Sequence, residues 1–217
     1  MENTSDATNV EISWSALCVA HVTDWLSPYP YPRINSSPWF GSIFPYRVRL
    51  LHPAYDHDWN PVTWSSIADA QCMDLTPETQ FSDLTRSNDP NAVVAGVFYA
   101  SPSMGILPEE WTALLDTLLG RTTDYGLVWT GYGLLGGMLA TAPIVSNAQL
   151  SYWGVEARRG DPVVTSTYKT PNFFWPRDHN WCVGTGIDSR DTFVAANNIE
   201  ILERIVSNPA IETICVA

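Results

Sequence analysis

The clearest element in the pattern of apolar and polar positions is a helix at residues 108–120. Pro108 is a favoured residue at the start of a helix, and Gly120 is a typical helix terminator. Between them, apolar residues recur every three or four positions, as they do on the buried face of an amphipathic helix. That face consists of Trp111, Leu114, Leu115, Leu118 and Leu119.

The same spacing predicts helices at residues 12–26 and 62–73, a short helix that starts at Thr76, and a last helix that follows Asn197 or Asn198. Polar residues suited to capping precede three of them: Thr63, Thr76, and either Asn197 or Asn198. The residues expected to face inward are Trp14, Leu17, Cys18, Val22, Trp25 and Leu26, then Trp64, Ile67 and Ala68, then Phe81 and Leu84, and finally Ile199, Leu202, Ile205 and Val206.

Short apolar stretches between turn residues predict five or six strands. They lie at 47–51, 92–99, 127–133, 151–156, 180–188 and 211–216. Several strands follow one another without an intervening helix, which favours the α+β class with an antiparallel or mixed sheet over a doubly wound fold. We therefore predict a single α+β domain over residues 11–217, with four or five helices and a flexible N-terminus at residues 1–10.

Prolines at alternate positions, from Pro28 to Pro32, force an extended backbone within the Pro/Tyr-rich loop that we predict at residues 27–45. This loop carries Trp39 and Phe40, which are candidates for contact with a partner. The alternative is that both rings pack on the surface of the domain itself.

Charge and aromatic content narrow the function classes. Against 11 Lys and Arg residues stand 23 Asp and Glu, for a net charge of −12. Nucleic acids and anionic membranes are bound mainly through basic side chains, so the sequence argues against both. The charge either keeps the protein in solution or attracts a basic protein partner. The ten tryptophans likewise form either a Trp-rich core or an aromatic recognition face.

The four cysteines (Cys18, Cys72, Cys182 and Cys215) lie far apart in the sequence and form no Cys-x-x-Cys motif. The first 20 residues begin with an acidic, polar run, and they lack the basic start and apolar block of a secretion signal. No apolar run reaches the roughly 18–20 residues that a membrane-spanning helix needs. The sequence thus predicts a cytoplasmic protein whose cysteines are free and buried.

The segment around His52, Asp56 and His57 holds residue types that bind zinc, iron or manganese. His179, next to Asp178, is a further possible ligand. Such a site would suit a metal-dependent hydrolase. The alternative is a solvated turn in which Asp56 and Asp58 accept backbone hydrogen bonds.

A second dense segment, residues 172–181, places Trp175 and Trp181 around Arg177 and Asp178. One interpretation is structural, with Asp178 accepting backbone N–H bonds at the entry to a strand while the rings pack. The other is recognition, because Trp and Arg dominate the binding energy of protein interfaces. A nucleophilic pairing of Cys182 with His179 is a weaker hypothesis. No Gly-x-Ser-x-Gly motif or Walker loop occurs, and we expect no cofactor.

Three segments together resemble an uncharacterised family of actinobacterial proteins. They are Arg49-Leu-Leu-His-Pro-Ala-Tyr with Pro61-Val-Thr-Trp-Ser-Ser-Ile-Ala, Arg121-Thr-Thr-Asp with Val128-Trp-Thr-Gly-Tyr-Gly, and the segment from Asn172 to Asp188. The chain departs from the family pattern at Thr192-Phe-Val-Ala-Ala-Asn, where the family tends to carry two glycines. The resemblance implies no activity. The family's acidic, Trp-rich, standalone character is similar to that of immunity proteins of bacterial toxin systems.

The function that these observations favour is a protein-binding module, of the immunity type, that neutralises a basic toxin by occlusion. The alternatives are the metal-dependent hydrolase and a structural or regulatory protein without catalysis. The candidate binding residues are Trp39, Phe40, Trp175, Arg177, Asp178, Trp181 and Asp188.

Overall fold

The computed structural model describes residues 12–16, 43–86, 91–94, 97–120, 122–132, 144–146, 151–159 and 171–216. These residues form thirteen strands and four α-helices, and every strand pair is antiparallel. The fold therefore belongs to the α+β class, as predicted. The Pro/Tyr-rich loop, with Trp39 and Phe40, lies almost entirely outside the described residues.

The strands are β1 (Ile12–Ala16), β2 (Tyr46–Leu51), β3 (Ala54–Tyr55), β4 (Pro61–Val62), β5 (Asn91–Val94), β6 (Val97–Ala100), β7 (Thr123–Trp129), β8 (Ile144–Ser146), β9 (Ser151–Arg159), β10 (Phe173–Pro176), β11 (Trp181–Gly184), β12 (Asp191–Ala196) and β13 (Thr213–Val216). The helices are α1 (Trp64–Ala70), α2 (Phe81–Thr85), α3 (Glu109–Leu118) and α4 (Ile199–Val206), with a 3₁₀ turn at Thr130–Tyr132.

The strands form two sheets. The larger has nine strands in the order β1-β9-β7-β10-β11-β12-β2-β13, with β8 also paired to β9, and the smaller has the order β4-β3-β6-β5. The predicted five or six strands were too few. Residues 92–99 belong to two paired strands instead of one, and Asp191–Ala196 was not recognised as a strand. Phe173–Pro176, which was not recognised as a strand, lies between β7 and β11.

The centre of the large sheet is buried on both faces. In β10, Phe174 contributes to one hydrophobic cluster while Phe173 and Trp175 contribute to the cluster on the opposite side. In β11, Trp181 and Cys182 divide in the same way, because successive side chains of a strand point to opposite faces. Strands covered on both faces carry continuous apolar runs, which explains why alternation did not reveal β10.

Helices α3 and α4 contribute to the cluster that contains Phe174 and Trp181. Of the predicted apolar stripe, Trp111 and Leu115 in α3 and Leu119 directly after it are buried, whereas Leu114 and Leu118 are partly buried. Gly120 follows at a φ of 88°. Asn198 caps α4 by accepting a hydrogen bond from the N–H of Glu200. The prediction for α4 was correct for Leu202 and Ile205 and wrong for Ile199 and Val206, which remain more than 40% exposed.

Helices α1 and α2 pack with the small sheet in a third cluster. Thr63 caps α1 as predicted, and Trp64, Ile67 and Ala68 are its buried residues. Helix α2 begins at Phe81, after a turn in which the N–H of Thr79 donates to the carbonyl of Thr76. It buries Phe81 and Leu84, as predicted, although it starts later than Thr76.

The helix predicted at residues 12–26 is wrong over its first part. Residues 12–16 pair with β9 as an edge strand, in a register that joins Ile12 to Arg159 and Ala16 to Val155. Only five residues of the predicted helix are described. Their pairing with the exposed backbone edge of β9 determines their conformation instead of the helical pattern of apolar residues. The rest of the predicted helix lies outside the described residues.

The predicted burial of the cysteines holds for Cys182 alone among those described. Cys72 is exposed at a φ of 54° just beyond α1, and Cys215 is exposed on β13, which pairs with β2 alone. An apolar stretch of sequence therefore did not guarantee burial at the end of a helix or the edge of a sheet. Among the residues described, no helix has both the length and the apolar character required to cross a membrane.

Candidate protein-binding surface

The loop between β3 and β4 is a tight turn held by Asp56. One carboxylate oxygen of Asp56 accepts hydrogen bonds from the N–H groups of Asp58 (2.9 Å) and Asn60 (2.8 Å), and the other accepts from the side-chain amide of Asn60 (3.0 Å). Two backbone bonds close the turn, from Asp56 N to Asn60 O and from Trp59 N to Asp56 O. The side-chain bond from Asn60, followed by its backbone bond, lowers the pKa of Asp56.

These bonds hold Trp59 in an unusual state. Its side chain is 73% exposed, and its φ of 63° lies in the left-handed region. A non-glycine residue there costs about 1–2 kcal/mol relative to the right-handed form. The Tyr55 ring lies beside the indole, with 6.0 Å between ring centroids. The turn therefore fixes a large aromatic side chain in solvent at a backbone cost, a combination that points to function.

An apolar groove of about 600 Å³ lies next to this hairpin. Its lining includes Pro53, Pro61 and Val62 from the hairpin, Leu114 from α3, and Pro209 and Ala210 from the loop after α4. Trp111 also lines the groove, and its ring meets His52 edge to face at 5.8 Å. Proline has no N–H to donate, so the three prolines of the wall offer ring contacts and no backbone donor.

Glu212 lines the groove and connects the loop after α4 to the start of α1. Its carboxylate accepts hydrogen bonds from the N–H groups of Trp64 (2.5 Å) and Ser65 (2.8 Å) at the start of α1. A negative charge is favourable there, because the first N–H groups of a helix lack partners and carry partial positive charge. Glu212 thus fixes the loop after α4 against α1.

The described surface is strongly acidic. Its exposed cationic side chains are Arg86, Arg177 and Arg204, and its exposed carboxylates are Asp58, Asp69, Asp74, Glu78, Asp83, Asp178, Asp188, Glu200 and Glu203. Nine carboxylates against three arginines leave a clear negative excess, and Asp58 belongs to the same turn as Trp59. The described surface therefore has the same sign of charge as the whole chain, whose net charge is −12.

His52 is not a surface ligand. It is fully buried, with Nδ1 at 2.8 Å from the carbonyl oxygen of Ser103 and Nε2 at 2.8 Å from Thr192 Oγ1. A carbonyl oxygen only accepts, so Nδ1 carries the proton and Nε2 accepts from Thr192. The Thr192 oxygen lies 2.6 Å from the hydroxyl of Thr185, which is then left to donate to it. Burial is the main cause that lowers the pKa of His52 from 6.5 to about 4.

The structure does not bring the predicted metal ligands together. Both ring nitrogens of His52 are engaged inside the protein, whereas His57 is exposed on the turn and Asp56 accepts hydrogen bonds from that turn. Within the described ranges, no three His, Cys, Asp or Glu side chains are grouped as metal ligands would be. The alternative interpretation, a solvated turn with Asp56 and Asp58 as acceptors of backbone hydrogen bonds, is confirmed for Asp56 and not for Asp58. Asp58 contributes its N–H to that turn.

The segment at residues 172–181 has the structural role. Asp178 accepts hydrogen bonds from the backbone and side chain of Asn180, at the turn between β10 and β11. Trp175 and Trp181 are 0% and 2% exposed, so the recognition role predicted for these two rings was wrong: both faces of their strands are covered. Arg177 and Asp178 are exposed in the same turn, and the Arg177 guanidinium lies 6.0 Å from the Tyr125 ring.

Cys182 lacks the surroundings of a nucleophile. It is completely buried, and its thiol donates a 3.6 Å hydrogen bond to the carbonyl of Val183. Burial raises the pKa of this thiol, whereas a reactive cysteine requires a lowered one. His179 is partly exposed, at a φ of 56° in the preceding turn, and burial lowers its pKa.

Trp59 was not predicted as a binding residue. The stretch from Ala54 to Pro61 was interpreted only as a polar turn, and its tryptophan was not considered. A tryptophan surrounded by the turn-forming residues Asp58 and Asn60 was the available signal, because such a position offers no regular face on which to bury an indole. Of the remaining predicted residues, Asp188 is exposed, and Trp39 and Phe40 lie outside the described ranges.

Comparison with known proteins gives no relative: no protein family, curated protein or solved structure matches the chain.

Proposed function

We propose that this protein binds a basic protein partner through the surface around Trp59. The observation that carries the proposal is a tryptophan that is 73% exposed on a turn fixed by Asp56. Tryptophan is among the residues that contribute most to interface energy, and a turn whose backbone is already held by hydrogen bonds loses little entropy on binding. The adjoining apolar groove extends the contact area beyond a single ring.

The charge of the surface favours a cationic partner. Exposed carboxylates outnumber exposed arginines nine to three among the described residues, and Asp58 is next to Trp59. A negative surface accelerates the approach of a basic protein and disfavours acidic competitors. The partner's contacting face should therefore carry lysine or arginine around an apolar centre.

Within this class we favour an immunity-type role, in which the protein neutralises a toxin by covering its active site. A toxin that cleaves or binds nucleic acid must present basic side chains to phosphates, and an acidic binder is complementary to that face. Occlusion requires no bond-breaking groups in the inhibitor.

The test is capture of a partner from the source organism by the full-length chain, followed by direct binding measurements. Wild type, Trp59→Ala and Val93→Ala serve as three matched baits, since Val93 is an apolar side chain exposed to a similar degree (68%) on β5. The expected partner is basic, binds wild type and Val93→Ala equally, and is lost from Trp59→Ala. Calorimetry with the purified partner should show at least about ten-fold weaker binding for Trp59→Ala, as expected for an interface anchor.

Two results would contradict the proposal. One is a partner that binds Trp59→Ala as tightly as wild type. The other is the absence of any basic protein that depends on Trp59, which would favour the structural or regulatory alternative. Circular dichroism of the three baits controls for folding. If the partner proves to be a toxin, co-expression with wild type should restore growth, and co-expression with Trp59→Ala should not.

A further inference from the structure

The groove and the Trp59 turn lie on one continuous region of the hairpin. Pro61 lines the groove and is only two residues from Trp59, so their Cα atoms are at most about 7 Å apart. The groove supplies apolar contact, while the turn supplies an exposed indole and the exposed carboxylate of Asp58. Two different chemistries are therefore presented within the reach of a short peptide segment.

The cation-binding part of this surface is the turn, not Glu212. Both oxygens of Glu212 already accept hydrogen bonds from the start of α1, whose partial positive charge offsets that of the carboxylate. Asp56 is also committed, to the N–H groups of its own turn. Asp58 is exposed, and the face of an indole is the best side-chain acceptor for a cation–π contact.

From this arrangement we propose that the surface recognises an extended segment in which apolar residues fill the groove and a neighbouring Arg or Lys stacks on Trp59 beside Asp58. This inference rests on the proposed function and names what the basic partner presents. The groove's prolines cannot donate backbone hydrogen bonds, so side-chain packing, not strand addition, holds the apolar part. Its volume of about 600 Å³ is larger than any single side chain, so more than one apolar residue enters.

The experiment selects displayed random 12-residue peptides on the purified full-length chain and measures the best synthetic peptide by fluorescence anisotropy. We expect enrichment of apolar residues close to Arg or Lys. Trp59→Ala should weaken binding about 10- to 30-fold, because it removes an anchor ring. Ala210→Phe, at an exposed groove position, should weaken it about ten-fold or more by filling the groove. Val93→Ala, the matched control, should change it less than about two-fold, since lone surface contacts contribute little.

A double-mutant cycle tests the cation–π contact. Replacing the peptide's basic residue with Gln should weaken binding to wild type and have little further effect on Trp59→Ala.

The proposal is overturned if no peptide is enriched, if enriched peptides lack a basic residue, if only small apolar molecules occupy the groove, or if Ala210→Phe leaves binding unchanged. Failure of this selection, with Trp59-dependent capture of a basic protein intact, would reject the linear segment and leave the proposed function standing. Peptide binding without any Trp59-dependent protein partner would reject the proposed function and leave recognition of a linear segment standing.

Discussion

The buried position of His52 predicts a loss of stability in mild acid. In the native state its Nδ1 donates to Ser103 and its Nε2 accepts from Thr192, inside a site with no exposure to solvent. Burial, only partly opposed by the Ser103 hydrogen bond and the nearby Asp191, lowers the pKa to about 4. In the unfolded chain the ring returns to its usual pKa of 6.5. Between these values the unfolded state binds a proton that the native state excludes.

The sign and size follow from that difference. At pH 7.5, one unit above the unfolded pKa, His52 is almost entirely unprotonated in both states, and nearly its full contribution to stability is present. As the pH falls toward 4, the unfolded state gains protons and the free energy of unfolding decreases. A shift from 6.5 to about 4, at 1.36 kcal/mol per pH unit, amounts to about 3 kcal/mol over the whole window, of which about 2 kcal/mol is lost by pH 5.

Urea denaturation of wild type and His52→Gln at pH 7.5 and pH 5 measures this contribution. Glutamine has no titrating group, so the variant isolates His52 from the carboxylates that begin to titrate near pH 5. The variant should be less stable at pH 7.5, and its stability should fall by about 2 kcal/mol less than that of wild type between the two values. Equal losses in both proteins would refute the assignment, and so would a wild-type stability that does not change.

Two further changes test the core. Asp191→Ala should reduce the free energy of unfolding by about 3–5 kcal/mol, because it leaves the Arg49 guanidinium buried without its 2.5 Å partner. The double variant Arg49→Met with Asp191→Leu should recover most of that loss in the same urea experiment, because no buried charge is then left unpaired. A double variant as unstable as Asp191→Ala would show that the unpaired charge is not the cause. Gly126→Ala should cost about 1–3 kcal/mol, because a Cβ there would lie 2.8 Å from the Phe173 carbonyl oxygen. An unchanged melting temperature would show that β7 and β10 separate easily.

Elements whose signals are local could be predicted from the sequence. The N-cap at Thr63, the helix-opening Pro108 and the N-cap at Asn198 act within one helical turn, so α1, α3 and α4 were recognisable without their surroundings. Strand β2 was equally clear, since its apolar run ends at Pro53. Capping and proline chemistry depend on neighbours in the sequence, and those are fully visible.

Elements that depend on a distant partner were missed. Ile12–Ala16 has a weak pattern of its own, and its conformation is set by pairing with Arg159 to Val155, more than 130 residues away. Strand β12 gave no alternation because it has paired neighbours on both sides and buried residues on both faces. The environment that decides these conformations is not encoded in a window of ten residues.

The prediction of the site residues was wrong for a related reason. Trp175 and Trp181 stood out because they surround charged residues in the sequence, but strands β10 and β11 direct their rings inward. His52 was grouped with His57 because both are metal-binding residue types in one short segment, yet the chain turns so that one is buried and the other exposed. Proximity in sequence predicted the Asp56 turn correctly, since its hydrogen bonds span at most four residues.

Placement of the tryptophans explains why their number alone was ambiguous. Trp64, Trp111, Trp153, Trp175 and Trp181 are at most 9% exposed, and each lies in a helix or strand with an inward face. Trp59 has no such face, because the residues on either side are bound into the Asp56 turn. To fold back onto the protein, an indole in that setting would have to break the turn. The five hydrogen bonds of the turn stabilise the alternative, in which the indole stays in solvent. The binding proposal thus rests on one position where the backbone, not the apolar pattern, determines exposure.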